Sequence, residues 1–337
     1  MTEIKSVLVA NNHLDYFGGS ETFTFALIEG LLAKGFDVEY FTFVKGNFSK
    51  LIEQKLNVGF MSKDSYDLVL ANHNTCVRFL KDKGLVVQTC HGIYPDLEQP
   101  SIFADFHVAI SQEVANYLAV KGFPSAIIMN GINTDRFYSK KALNDNLKSV
   151  LSLCHSESAN SFLKDVCDEL KVDFLCIEKF ENRTWEIEDL INKSDMVVGL
   201  GRSAYEAMAC GRPVIIYDQR PYAESFADGY VVDKLANSLV NNCSGRFYKM
   251  KMTKEMMVKE FKKYKKTDGE VLRNFIVDNL SMSASVDKYL ALVNDCILNK
   301  DIIKKNTVFR SLKFSFGNSL ARKFVKRFYK NYYKASV

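Results

Sequence analysis

Short apolar runs alternate with helical spacing along most of this chain, and each run ends in a polar or glycine-containing turn. Ile4 to Ala10 is a β-branched run that stops at Asn11-Asn12-His13, as a first parallel strand would on entering a loop. Thr22 to Lys34 follows with Phe23, Leu27 and Leu31 at helical spacing, and Gly35 stops it. Val38 to Phe43, Asp67 to Ala71, Leu85 to Thr89 and His107 to Ile110 read as further strands, and Ser111 as the cap of a helix ended by Gly122-Phe123-Pro124. After the Asn130-Gly131 turn the alternation resumes: strand 149–154, helix 159–170, strand 173–177 and helix 186–193. Strand–helix alternation of this kind predicts an α/β protein with doubly wound parallel sheets.

Ser194 to Asp218 is the densest stretch. Met196 to Val198 predicts a buried strand, Gly199 and Gly201 a sharp turn, Ser203 the cap of a helix over 204–210, and Pro213 the opening of another strand. A turn of this type leaves backbone N–H groups at a helix start, where the dipole favours an anion, so a phosphate can be held there without a metal. Gly199-Leu200-Gly201-Arg202-Ser203-Ala204 also satisfies a dinucleotide fingerprint, with Asp218 at the distance of a ribose-binding acid. That alternative makes the chain an NAD-dependent oxidoreductase. It is weakened by position, because the fingerprint normally opens the first strand–helix–strand unit of its domain.

The longer run Glu206-Ala207-Met208-Ala209-Cys210-Gly211-Arg212-Pro213-Val214 resembles the donor-binding segment of family 4 glycosyltransferases of the GT-B fold. Three other segments share the resemblance. They are the loop Gly18-Gly19-Ser20-Glu21 with the helix after it, Cys90-His91-Gly92, and Asn130-Gly131-Ile132-Asn133; a weaker match lies near 280–290. The resemblance implies two Rossmann-like domains facing a cleft, with residues 1–137 as the acceptor-side domain and 138–300 as a shortened nucleotide-sugar-binding domain. It implies that Glu206 holds the ribose of a nucleotide sugar and that the turn of Gly199, Gly201, Arg202, Ser203 and Ala204 holds its diphosphate. On the acceptor side it implies His91 as the catalytic candidate, with Gly18, Gly19 and Glu21 as the acceptor-side or phosphate loop; His73, just past another strand end, is a further candidate to line the acceptor side. Transfer in this family usually retains anomeric configuration, to a glycan or lipid-linked acceptor.

Two departures bear on mechanism. The family's Gly-Arg and following Lys, which neutralise the diphosphate, are replaced here by Leu153-Cys154-His155-Ser156-Glu157-Ser158, and Val198 stands where a second Glu usually touches the transferred sugar. Arg202 is the residue expected to supply the lost charge. The same departures support a third reading, a catalytically silent GT-B sugar-binding protein. No Asp-x-Asp pair occurs and no His or Cys pair has zinc spacing, so no metal cofactor is expected.

Composition adds the setting. Hydrophobic residues make up 47% of the 337, enough for two cores. The net charge of +5 conceals an asymmetry: residues 301–337 hold ten of the 45 basic residues and one of the 40 acidic ones, leaving 35 against 39 in the rest. A mildly acidic body with no basic stripe speaks against nucleic acid. In the tail, Phe316, Leu320, Phe324, Phe328 and Tyr332 recur every fourth residue among arginines and lysines, so 316–334 is expected to lie on an anionic membrane surface. With no apolar run of about 18 residues and no signal peptide, the expected location is cytoplasmic, at the inner face of the membrane. The eight scattered cysteines are expected to be reduced and mostly buried.

Overall fold

The computed structural model describes residues 4–16, 18–177 and 185–298, and contacts divide it into two compact units. The first holds residues up to Met129 together with those from Ser285 onward, and the second holds Asn130–Ala284. This division falls at 129/130, and the last helix from Ser285 belongs to the first unit.

In the first unit the strands and helices run β1 (Ser6–Ala10), β2 (His13–Leu14), α1 (Gly19–Ala33), β3 (Asp37–Phe41), β4 (Val44–Lys45), α2 (Asn47–Leu56), β5 (Leu68–Ala71), α3 (Asn74–Leu80), β6 (Leu85–Cys90), β7 (Phe106–Ala109), α4 (Gln112–Val120) and β8 (Ala126–Ile127). Six strands form one sheet in the order β3-β1-β5-β6-β7-β8, and every pairing is parallel. Val7 lies beside Val38 on one side and Leu68 on the other. Val7 to Ala10 and Leu68 to Ala71 are buried throughout, the continuous apolar pattern of strands covered on both faces. Helix α1 begins earlier than expected, because Gly18 is extended (φ −135°) and caps it. Ser111 caps α4 as its sequence predicts, its hydroxyl accepting from the Val114 N–H.

The second unit continues with β9 (Ser149–Ser152), α5 (Glu157–Leu170), β10 (Asp173–Cys176), α6 (Ile187–Lys193), β11 (Met196–Gly199), α7 (Gly201–Ala209), β12 (Val214–Asp218), β13 (Phe226–Tyr230), α8 (Leu235–Val240), α9 (Lys254–Phe261) and α10 (Thr267–Leu280). Its sheet has the order β10-β9-β11-β12-β13, parallel except for the antiparallel edge strand β13, which periodicity did not reveal. Two buried side chains tie its loops together. Asp195 accepts from the N–H groups of Asn144, Lys148 and Ser149; burial opposes its charge, but these donors outweigh it and hold the carboxyl below its usual range. Arg212, 1% exposed, donates to the carbonyls of Ser194, Cys210, Lys141 and Asn192.

The final helix, α11 (Met282–Leu298), packs its Val286, Tyr289 and Val293 side chains into the core. The Tyr289 hydroxyl shares a 2.8 Å hydrogen bond with that of Thr89 on β6, and Lys34 pairs with Asp287 at 2.7 Å. Among the described residues no helix is long and apolar enough to cross a membrane. The basic aromatic segment 316–334 lies outside the described residues.

Candidate functional site

Each sheet reverses its winding once, and at that point loops leave the carboxyl ends of adjacent strands in opposite directions, which opens a crevice. In the first unit the reversal lies between β1 and β5; in the second it lies between β9 and β11. The polar candidates gather at these two places.

At the first, the residues just past β1, β5 and β6 form one hydrogen-bonded cluster. Asn11 and Asn72 each donate a side-chain amide to the Thr24 hydroxyl, at 2.9 and 2.8 Å. Because Asn72 donates through nitrogen, its carbonyl accepts, and His91 Nε2 stands 3.2 Å from it. A neutral His91 ring therefore carries its proton on Nε2, and Phe23 meets the ring edge-on. His73 accepts the Asn12 N–H on Nδ1 at 3.1 Å; burial, with the neighbouring His13 charge, pushes its pKa down to about 4. His73 is thus a neutral, buried residue that holds the loop after β1.

The glycine loop adds an ion pair the sequence did not announce. Glu21 folds back over the start of α1, 4% exposed, and pairs with His13 Nε2 at 3.0 Å while accepting from the Ser20 hydroxyl. That hydrogen bond is the main cause of the raised His13 pKa, partly offset by burial. A Cβ on Gly18 would lie 2.3 Å from a Glu21 oxygen, so the absence of a side chain there leaves room for the carboxylate. Gly19 has nothing within 4 Å of its Cβ position.

At the second crevice the Gly-rich turn is built differently from its sequence reading. Helix α7 starts at Gly201, whose φ of +52° favours glycine, so Ser203 is the third helical residue and not the cap. The Ser203 hydroxyl reaches back to accept the Leu200 N–H at 3.3 Å and donates to the Leu200 carbonyl at 2.8 Å. A Cβ on Gly199 would press on that hydroxyl at 3.0 Å. The Gly201 N–H is spent on the Cys243 carbonyl at 2.9 Å. Two amides expected to meet a phosphate are therefore already bonded within the protein. Ala204 is fully buried.

Arg202 is likewise turned inward. Its Nη1 donates to the Gly131 carbonyl at 2.8 Å and its Nε lies 2.9 Å from Glu206 Oε1, with both side chains under a tenth exposed. The charge of Arg202 is committed to Glu206 rather than presented to a diphosphate. Glu206 sits in the second turn of α7; burial pushes its carboxyl upward, and Arg202 and Arg136 pull it back. Asp218, the acid of the dinucleotide alternative, is 1% exposed and clamped by Arg220, whose Nε and Nη2 lie 2.9 and 2.5 Å from its two oxygens. A ribose acid must have a free edge, so the NAD reading loses its key residue.

Sequence reasoning missed His13, Asn72 and Thr24 as members of the first cluster, and Arg220 beside the second crevice. The signal for the cluster was an Asn or His directly after each of three strands, at Asn11, Asn72 and His91; Thr24, inside α1, carried none. Arg220 carried none, because its neighbour Pro221 belongs to an ordinary loop.

No protein-family model matches the sequence, and no curated protein matches it significantly. Solved structures do match. A protein from Listeria monocytogenes described as a UDP-N-acetylglucosamine 2-epimerase superposes with a TM-score of 0.55 at 11% identity, over 88% of this chain and 97% of its own. An alpha-glucosyltransferase bound to UDP and DNA gives 0.53 at 10% identity, over 87% and 100%. The catalytic domain of starch synthase IV from Arabidopsis thaliana gives 0.50 at 10% identity, over 87% and 99%. At these identities the likeness is one of architecture, and together with the two parallel-sheet units it establishes that the chain has the GT-B fold.

Proposed function

We propose that the protein is a glycosyltransferase that moves a sugar from a nucleotide diphosphate sugar to a glycan or lipid-linked acceptor, in the manner of family 4 and with retention of configuration. The observation that carries this reading is the run Glu206 to Val214. It folds as α7 entering β12, and it places a buried carboxylate beside the Gly-rich turn at the crevice of a GT-B unit. Glu206 is assigned to the ribose hydroxyls, with Arg202 orienting its carboxyl group. The cluster around His91, with the Gly18-Gly19 loop, is assigned to the acceptor and the transferred sugar. Two of the matching structures are glucosyl or starch-synthesising enzymes bound to UDP or ADP, which is consistent with a nucleotide-linked donor here. The proposed reaction uses no metal cofactor. The segment 316–334 is assigned to an anionic membrane surface at the cytoplasmic face, in polysaccharide or glycoconjugate synthesis.

The test is thermal unfolding against a panel of UDP-, GDP- and ADP-sugars and NAD(H), for the wild type and Glu206→Gln. Binding at 100 times the dissociation constant adds about 2.7 kcal/mol. A shift with one nucleotide sugar that is lost in the variant supports the donor site, and a shift with NAD(H) alone overturns it. Because the same fold serves an epimerase in one match, the bound donor is then followed for sugar transfer in the presence and absence of EDTA. Nucleotide release with transfer that survives EDTA is expected. Donor isomerisation without transfer rejects the transferase.

A further inference from the structure

The second crevice is flanked by a cavity of about 360 Å³ that no part of the motif lines. Its walls are the loops that leave β9 and β12, the two strands that border β11 in the sheet. His155, Ser156 and Ser158 come from the first loop and the start of α5; Gln219, Arg220 and Ser225 come from the second. These are hydroxyls, an imidazole and a guanidinium, the donor set that suits phosphate oxygens.

Two guanidiniums flank the buried carboxylate of this corner, while Glu157, between Ser156 and Ser158, is exposed at the start of α5. Asp218 carries the one buried carboxylate, and it is shared by Arg220 and by Arg246, whose Nη1 lies 3.7 Å from Oδ2. Glu224, on the same loop, is exposed and paired with Lys251 at 3.0 Å. Arg220 spends three of its five N–H groups on Asp218 and on the Tyr222 hydroxyl. The Arg220 side chain is also one of those that line the cavity. Meanwhile the Leu200 and Gly201 amides and the Arg202 guanidinium are occupied within the protein. A diphosphate arriving at this crevice therefore needs a cation from elsewhere.

We propose that this cavity holds the diphosphate of the donor, and that Arg220, fixed in place by Asp218, is its principal cation. This assignment rests on the donor reading above. Asp218 is accordingly a positioning residue: it aligns the guanidinium fork, while Arg246 offsets its charge so that Arg220 keeps a net attraction for an anion. The cavity reaches this composition without the Gly-Arg and Lys of the resembling family, because its cation comes from the loop after β12 instead of the loop after β9.

The experiment is calorimetric titration of the full chain with the nucleoside diphosphate selected by the donor panel, with the parent nucleoside and with inorganic pyrophosphate. Wild type, Arg220→Gln and Ser158→Glu are compared. Ser158 is exposed in the first turn of α5, where an acid suits the helix, so Ser158→Glu folds even if Arg220→Gln does not. Both variants are expected to weaken the diphosphate about 10- to 100-fold, the cost of a charge-assisted hydrogen bond, and to leave the nucleoside unchanged. Unchanged diphosphate affinity in both variants, with binding still abolished by Glu206→Gln, overturns the cavity and spares the donor reading. Arg220-dependent binding of pyrophosphate by a protein that takes no nucleotide sugar supports the cavity and overturns the donor reading. Binding of neither compound overturns both.

Discussion

Arg202 and Glu206 face each other one helical turn apart on α7, 2.9 Å between Nε and Oε1, and both are buried. A buried pair of this kind adds little net stability, since desolvation offsets the attraction, but removing one partner strands the other. Arg202→Met is expected to cost about 3–5 kcal/mol, measured by denaturant unfolding. The double substitution Arg202→Met with Glu206→Leu should recover most of that loss. If nucleotide-sugar binding returned along with stability, Glu206 would not be a donor ligand.

Two histidines should make the protein acid-sensitive. Burial pushes the pKa of His73 and of His107 down to about 4, against 6.5 in the unfolded chain. Their depressed values mean that the unfolded state binds the protons first, so stability is full above pH 6.5 and is lost as pH falls towards 4. The loss is at most about 3 kcal/mol per ring. His13 has the opposite sign: its raised pKa contributes stability below 6.5 that disappears as pH rises through the folded value. Ring-proton NMR checks this directly, with His13 titrating above 6.5 and His73 and His107 still neutral at pH 5.

Gly18→Ala and Gly19→Ala should differ sharply. The new methyl at 18 forces the Glu21 carboxylate away from His13, so the His13 pKa drops back towards 6.5 and stability falls by about 1 kcal/mol. At 19 the methyl enters open space at a helix start, and stability changes by less than about 0.5 kcal/mol. A loss of transfer activity in Gly19→Ala with unchanged stability would mark it as a substrate contact. An unchanged His13 titration in Gly18→Ala would refute the carboxylate explanation.

Arg212 donates to four loop carbonyls from a site 1% exposed. Arg212→Lys keeps the charge and loses the planar fork. We expect a loss of about 3 kcal/mol and a fall in Tm of roughly 10 °C, with donor affinity per folded molecule unchanged. A stable variant with weakened donor binding would show that the residue acts on the ligand instead.

The sequence by itself determined the α/β alternation, the strand positions within a residue or two, and the GT-B architecture. The first two rest on local signals, such as the continuous apolar run Val7 to Ala10, buried on both faces, and the third on the motif resemblance. It also placed His91 at a strand exit, because such exits follow from chain order alone. Which amides and charges remain for a ligand was decided only by the tertiary structure. Arg202 turns inward because Gly131, 71 residues away, offers its carbonyl; Gly201 is bonded by Cys243; and Asp218 also meets Arg246. Hydrogen-bond partners far apart in sequence compete for each polar group, and that competition is settled by the packed fold.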